Sequence, residues 1–229
     1  MDLKLQGCRV LVTGSSKGIG LATAIAFARE GAVPLIVSRS ADALESALAG
    51  IKQETGVTAQ AVTVDLAHAD GIKSLMSRAG EIDILVNNAG AIPGGSLADV
   101  DDARWRQAWE LKLFGYINLV REVLPQMEKR GRGVIANIIG MAGAAPRSEY
   151  VCGSTANAAL MAFTQAVGAT SPRRGVRVFG INPSPTRSDR MEGMLRAQAA
   201  KKFNDESRWM ELTAGLPFGR LTEPKEIAD

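Results

Sequence analysis

The sequence contains few of the residues that metal centres and hydrolytic triads require. Its 229 residues include one histidine and two cysteines, Cys8 and Cys152. The cysteines lack the close spacing of metal-ligand pairs, so we expect no metal site, and a single histidine argues against a Ser-His-Asp triad. The scarcity of cysteine also predicts a reducing compartment, the cytoplasm.

Long apolar runs and clustered charge are also missing. No apolar run reaches the roughly 18 to 20 residues that span a membrane, and the opening MDLKLQG has no apolar core of a signal peptide. The net charge is +3 and no run of Lys and Arg exceeds two residues, which argues against nucleic acid as a partner. Since this length suits a single core, we expect one domain over residues 1–229, with no membrane or nucleic-acid partner.

The sequence does contain a glycine-rich stretch directly after an apolar run. Residues 8–13 are apolar and β-branched, which predicts a buried parallel strand, and residues 21–29 have helical composition. Gly14, Gly18 and Gly20 lie between them. Strand, glycine turn and helix in this order are typical of dinucleotide binding, because glycine permits a tight turn and the close approach of a pyrophosphate. The alternative is a glycine-rich turn without a ligand.

The spacing in TGSSKGIG resembles the cofactor motif of the short-chain dehydrogenase/reductase family. NNAG at residues 87–90 resembles a second motif of that family, and NPSPT at residues 182–186 resembles its NPG turn, with serine where glycine is usual. The resemblance extends over nearly the whole chain. It implies an α/β fold of the Rossmann type, a doubly wound parallel sheet in three layers, and hydride transfer between a nicotinamide and a small alcohol or carbonyl substrate. The cofactor-binding residues that it implies are Gly14, Ser16, Lys17, Gly18, Ile19, Gly20, Arg39, Asp65, Leu66, Asn88, Ala89, Gly90, Pro183, Ser184 and Thr186.

Arg39 directly follows the second predicted strand, residues 33–38. In a dinucleotide-binding fold an acidic residue at this point binds the ribose 2′-hydroxyl, whereas an arginine accommodates a 2′-phosphate. Lys17, within the glycine loop, adds a second positive charge. We therefore predict that NADP(H) is preferred over NAD(H). The alternative is that both side chains are solvated surface charges.

The rest of the chain predicts alternating strands and helices. We expect further strands at 58–64, 82–86, 133–139 and 176–181, and helices at 41–54, 72–79, 101–111, 114–129 and within 150–170. The charge-rich segment 187–221 corresponds to the substrate lid of the family. Its Met191, Met194 and Leu195 either cover an apolar substrate or belong to an ordinary amphipathic helix. Family members usually continue through one more helix and strand, so we expect the C-terminal end to be truncated relative to the family.

The catalytic positions depart from the family pattern. The family uses a tyrosine that exchanges the proton, a lysine four residues later, a serine and an asparagine. The register set by NAALMAFT places Gly153 at the tyrosine position and Asn157 at the lysine position. Gly140 then falls at the serine position and Lys112 at the asparagine position.

Lysine and asparagine have thus exchanged places, and Tyr150 lies about one helical turn before the glycine at the tyrosine position. We hypothesise that Lys112 and Tyr150 form a proton-transfer pair and that Asn157 orients the lysine, because a nearby ammonium lowers the pKa of a phenol. Ser148 and Ser154 are candidates for the missing hydroxyl donor. The alternative is a catalytically degenerate member that acts as an NADP(H)-binding sensor or scaffold.

Two predicted helices bear on oligomerisation. Family members usually pair through the helices that correspond to residues 114–129 and 151–170. Small residues on the second helix permit close helix approach, so we predict a homodimer or homotetramer. The alternative is that these residues only pack against the sheet.

Overall fold

A computed structural model describes residues 2–229, and its centre is a six-stranded parallel sheet in the order β3-β2-β1-β4-β5-β6. The strands are β1 (Arg9–Thr13), β2 (Val33–Ser38), β3 (Gln60–Thr63), β4 (Ile84–Asn87), β5 (Gly133–Ile138) and β6 (Val176–Ile181). The helices are α1 (Gly18–Arg29), α2 (Ala41–Thr55), α3 (Ala69–Ala79), α4 (Asp102–Trp109), α5 (Gly115–Arg130), α6 (Val151–Gly168), α7 (Asp189–Phe203) and α8 (Pro224–Ala228). The predicted doubly wound fold is confirmed.

Helices cover both faces of the sheet and give it three layers. Successive strand residues point to opposite faces, so Leu11 joins one buried cluster and Val12 joins the other. The first cluster packs the sheet against α3, α5 and α6, and the second packs it against α1 and α2. Burial on both faces explains why the strands are continuous apolar runs rather than alternating ones.

The strand order places a crevice next to β1. The chain runs outward through β2 and β3 and then returns to pair β4 with the other side of β1. Ligands of open parallel sheets bind at such a reversal, outside the carboxyl ends of the strands. The glycine loop after β1 and the NNAG motif after β4 therefore meet at this edge.

The helix predicted to end near residue 111 and the helix predicted from residue 114 form one continuous helical path. A π-helical turn, Glu110–Phe114, joins α4 to α5, and its flanking residues keep right-handed helical backbone angles. Turns of this kind are frequent at functional sites. Lys112 lies within it.

Segment 187–221 consists largely of α7 and a 3₁₀ helix, Glu206–Thr213. Ala199, Trp209 and Leu221 form its buried centre, against which Met191 and Leu195 pack. These two apolar side chains therefore serve an ordinary amphipathic helix. Within residues 2–229, none of the helices is long and apolar enough to cross a bilayer.

Candidate functional site at the carboxyl edge of the sheet

The glycine loop has a backbone that side chains would obstruct. Gly14 and Gly18 have φ angles of +63° and +60°, in the left-handed region that favours glycine. A Cβ at Gly14 would lie 2.8 Å from the Cα of Ala89, and a Cβ at Gly20 would lie 2.5 Å from the carbonyl oxygen of Gly14. A Cβ at Gly18 would meet nothing within 4 Å. The loop is thus tightly packed underneath and open above Gly18.

Hydrogen bonds join the glycine loop to the NNAG motif. The Asn88 side-chain amide donates to the carbonyl oxygens of Thr13 and Gly14 at 3.0 and 3.1 Å. The Thr13 hydroxyl accepts the backbone N–H groups of Asn88 and Ala89 at 2.9 and 3.0 Å. These bonds fix the two loops relative to each other. Thr13 is not among the predicted site residues, although its place directly before the glycine motif was visible in the sequence.

The serines of the glycine loop have different partners. Ser15 is buried; its hydroxyl donates to Val12 O at 2.7 Å and accepts from Val37 N at 2.9 Å, which ties β1 to β2. The Ser16 hydroxyl donates to that of Ser38 at 3.1 Å, at the end of β2. Ser15 is a structural residue that the motif alone did not single out.

The two cations predicted to select NADP(H) lie at the exposed rim of this edge, each beside a carboxylate. Lys17 Nζ lies 2.6 Å from Asp189 Oδ2, and Arg39 Nη1 lies 3.8 Å from Asp65 Oδ2. Pairs this exposed contribute little free energy. The Leu66 side chain, by contrast, is buried in the core.

The turn after β6 is also fixed by hydrogen bonds. Pro183 O accepts from Met141 N at 3.0 Å, and the Thr186 hydroxyl donates to Ser184 O at 2.9 Å. Ser184 and Thr222 share a hydroxyl–hydroxyl bond. Ile19, the second residue of α1, packs against the buried cluster that α1 and α2 form with the sheet.

Lys112 is buried beneath the site with a partner that was not predicted. Its side chain is 8% exposed, and Nζ donates to the Tyr116 hydroxyl at 2.9 Å and to Ile138 O at 2.7 Å. Tyr116 is 1% exposed and donates to the same carbonyl at 3.0 Å. Tyr116 follows Lys112 by four residues, the spacing at which helical side chains meet, and this signal could have found it.

Burial sets the protonation of this pair. It lowers the pKa of Lys112 from 10.5 to about 7, with a smaller contribution from the positive charge of Arg190. Burial also raises the pKa of Tyr116 well above its ordinary value. Lys112 can therefore gain and lose a proton at neutral pH, whereas Tyr116 stays a neutral phenol.

Replacing Lys112 by methionine should change how stability depends on pH. Because the folded pKa is about 7 against 10.5 in the unfolded chain, the unfolded chain binds more protons between these values. Wild-type stability relative to Lys112→Met should therefore rise with pH in this window, by up to about 1.4 kcal/mol per pH unit, and be flat below it. Chemical denaturation of both proteins from about pH 6 to 9.5 measures this; parallel curves would contradict it.

The Tyr150 side chain folds over Gly153. A Cβ at Gly153 would overlap the Tyr150 ring and lie 2.6 Å from its hydroxyl. The phenol of Tyr150 therefore occupies the space into which a side chain at position 153 would project. Burial raises its pKa, and the positive charge of Arg190 opposes this. Nothing in residues 2–229 makes a hydrogen bond to the Tyr150 hydroxyl or joins it directly to Lys112.

Asn157 lies against Gly140. It is 3% exposed, its Nδ2 donates weakly to Gly140 O at 3.4 Å, and its Oδ1 is a buried acceptor without a partner in the described chain. Gly140 has a φ angle of +133°, and a Cβ there would lie 2.9 Å from Asn157 Nδ2. A serine at position 140 would thus be strained. Gly140 and the Asn157 side chain therefore pack closely against each other.

The two serines considered as substitutes have local partners. The Ser148 hydroxyl donates to Glu149 Oε1 at 2.7 Å. Ser154 is buried, and its hydroxyl accepts from Arg147 N at 3.1 Å. Neither contact involves Tyr150.

Arg190 and Met194, on α7, also face this site. Arg190 Nη1 donates to Gly90 O at 3.0 Å, and a Cβ at Gly94 would lie 2.8 Å from Met194 Cε. Arg190 belongs to no motif and lies 100 residues after Gly90 in the sequence, so only the fold brings these two residues together. In the described part of the chain, no cluster of three or more His, Cys, Asp or Glu side chains could hold a metal ion.

A family model described as short chain dehydrogenase matches residues 9–199, the part of the chain that builds this edge. The chain belongs to the short-chain dehydrogenase family. It is 31% identical over 229 residues to 2-keto-3-deoxy-L-fuconate dehydrogenase of Xanthomonas campestris pv. campestris, covering 99% of this chain and 73% of that protein. The predicted family is confirmed.

Solved structures of short-chain dehydrogenases share this fold. L-sorbose reductase from Gluconobacter frateurii, complexed with NADPH and L-sorbose, superposes with a TM-score of 0.89 at 31% identity, covering 100% of this chain and 89% of that one. An NAD⁺-bound xylitol dehydrogenase superposes with a TM-score of 0.89 at 25% identity, covering 98% and 90%. The family is one of NAD(P)-dependent oxidoreductases of alcohols and ketones, and similar folds hold either nicotinamide cofactor.

Proposed function

We propose that this chain is an NADP(H)-dependent oxidoreductase that interconverts a small alcohol and its carbonyl compound, with Tyr150 exchanging the proton. The observation that carries the proposal is the position of the Tyr150 ring over Gly153. The phenol of Tyr150 thus lies where the family's tyrosine side chain would project, at the position that is Gly153 in this sequence. Its hydroxyl forms no hydrogen bond within residues 2–229, so it is available to a substrate oxygen.

The residues present fit a nicotinamide dinucleotide. The glycine loop is open above Gly18, where a pyrophosphate would approach the start of α1. The buried Oδ1 of Asn157 needs a hydrogen-bond donor, and a ribose hydroxyl is one. When bound, the nicotinamide would supply the hydride, so that reduction of the carbonyl consumes that hydride and one proton from Tyr150.

Two cations support the chemistry at Tyr150. Arg190 favours the phenolate, as the lysine of the family does. Lys112, with a pKa of about 7, is proposed to exchange protons with Tyr150, and Asn157 is proposed to orient the lysine. Because Lys112 Nζ is bonded to Tyr116 and Ile138, this exchange requires a bridging water or substrate oxygen.

Lys17 and Arg39 should determine which cofactor binds. Replacing either by alanine should weaken NADPH binding about 10-fold, and replacing both should weaken it about 100-fold, because each supplies a charge-assisted bond to the 2′-phosphate. NADH binding should change by less than about threefold. Fluorescence titration with both cofactors measures this.

Lys73→Ala is the control, since it removes an exposed lysine from α3 that already pairs with Asp70. Equal losses for NADPH and NADH in the Lys17 and Arg39 variants would contradict the predicted preference for NADP(H).

One observation favours the alternative function, an NADP(H) sensor or scaffold. Gly140 provides no hydroxyl for a substrate oxygen, and its backbone is unsuited to serine. A sensor would bind NADPH at micromolar concentration and reduce none of a panel of aldehydes, ketones and oxo acids. An enzyme would oxidise NADPH with at least one of them.

Two further proposals concern the surroundings of the site. We propose that residues 187–221 act as the substrate lid of a single domain, since α7 lies over the loop that follows β4.

We also propose a homodimer or homotetramer that pairs through α5 and α6. Light scattering of the purified protein tests the second proposal.

A further inference from the structure

Arg190 is the second residue of α7 and reaches back to the carboxyl end of β4. Its Nη1 donates to Gly90 O at 3.0 Å. No carboxylate in residues 2–229 forms an ion pair with it, although its neighbour Asp189 pairs with Lys17. A guanidinium carries several N–H donors, and only one is used here. The others are available to a ligand.

The loop after β4 contacts both Arg190 and the segment that carries Tyr150. Gly90 lies between Arg190 and Lys112, since a Cβ on it would be 2.8 Å from Lys112 Cδ. Five residues on, Gly95 N donates to Glu149 O at 2.8 Å and forms a parallel bridge with Tyr150. The positive charge of Arg190 accordingly lowers the pKa of Lys112 and opposes the burial that raises the pKa of Tyr150.

The acidic side chains around this loop have other partners. Glu149 accepts from the Ser148 hydroxyl at 2.7 Å. Asp99 accepts from the N–H and hydroxyl of Ser96 at 2.8 and 2.7 Å. With Asp189 held by Lys17, the guanidinium has no protein anion to balance it.

We propose that Arg190 binds a carboxylate of the substrate, so that the substrate is an oxo acid or the corresponding hydroxy acid. This inference rests on the proposed hydride transfer at Tyr150. A guanidinium presents parallel N–H groups that match a carboxylate. Bound to Arg190, an oxo acid would place its carbonyl toward the phenol on the other side of the loop. Arg190 is then a residue that determines specificity, and Met194 would contact the remainder of the substrate.

The test compares each acid with its uncharged ester. Pyruvate, 2-oxobutanoate and 2-oxohexanoate, each beside its methyl ester, are assayed with NADPH. Arg190→Met should raise KM for the acids about 10- to 100-fold and change KM for the esters by less than about threefold. Arg190→Lys should recover part of the loss, because it keeps the charge but loses the fork. Lys201→Met, which removes another exposed cation of α7, should leave the ratio of acid to ester unchanged.

A binding measurement separates this proposal from the proposed function. Calorimetry measures the affinity for each acid in the presence of NADP⁺, when no reduction occurs. If wild type reduces neither acids nor esters but binds an acid through Arg190, hydride transfer fails and the carboxylate site stands. If wild type reduces esters as well as acids and Arg190→Met leaves the ratio unchanged, the carboxylate site is overturned and the function stands. Failure of wild type to bind any of the acids also overturns the site.

Discussion

Tyr150→Phe should lower kcat by about 100- to 10,000-fold, the contribution of a positioned proton donor. Because the Tyr150 hydroxyl has no hydrogen-bond partner within residues 2–229, its removal leaves no polar group unpaired. The free energy of unfolding should therefore change by less than about 1 kcal/mol, and the Kd for NADPH by less than about twofold. Steady-state kinetics, chemical denaturation and cofactor titration measure the three quantities.

The chain has only two tyrosines, so the other is a matched control. The Tyr116 hydroxyl is buried between Lys112 Nζ and Ile138 O. Tyr116→Phe should lower stability by about 1 to 3 kcal/mol, because it takes a hydrogen-bond partner from a buried amine. Its kcat should fall by less than about tenfold. If Tyr116→Phe abolishes turnover while Tyr150→Phe retains it, the assignment of the phenol is wrong.

Gly153→Ala tests the same assignment without changing the phenol. Its Cβ would overlap the Tyr150 ring, so the ring must move. We expect a loss of kcat that approaches that of Tyr150→Phe, with little further loss in a double variant. Additive losses would mean that the position over Gly153 is unimportant.

Gly18→Ala should weaken NADPH binding about 30- to 100-fold while costing only about 1 to 2 kcal/mol of stability. The stability cost is that of a left-handed backbone with a Cβ, since a Cβ at Gly18 would meet nothing in the protein. The loss of affinity, about 2 to 3 kcal/mol, follows if this open space receives the pyrophosphate.

Gly56 offers a control with the same backbone strain. It ends α2 with a φ angle of +75°, and a Cβ there would also meet nothing within 4 Å. Gly56→Ala should match the stability loss of Gly18→Ala and leave the Kd for NADPH unchanged. If both variants bind NADPH like wild type, the glycine loop is not the phosphate site.

The sequence determined the layered fold and the placement of the glycine loop and the NNAG motif at one edge of the sheet. Both follow from short-range rules: buried parallel strands are continuous apolar runs, and a turn against a strand end requires glycine at particular backbone angles. Gly14 and Gly18 could therefore be picked out one by one. The exchange of lysine and asparagine between positions 112 and 157 was predicted from the sequence register and stays a prediction.

The tertiary structure decided which side chains meet. Lys112 was expected beside Tyr150, but a π-helical turn and the end of β5 direct its Nζ to Tyr116 and Ile138. Arg190, which no motif marks, reaches Gly90 because α7 crosses the loop after β4. Contacts of this kind depend on how helices are placed over the sheet, which is set by packing summed over the whole core. Residue type and local spacing do not determine this packing. The partners of Lys112 and Arg190 could therefore be identified only from the tertiary structure.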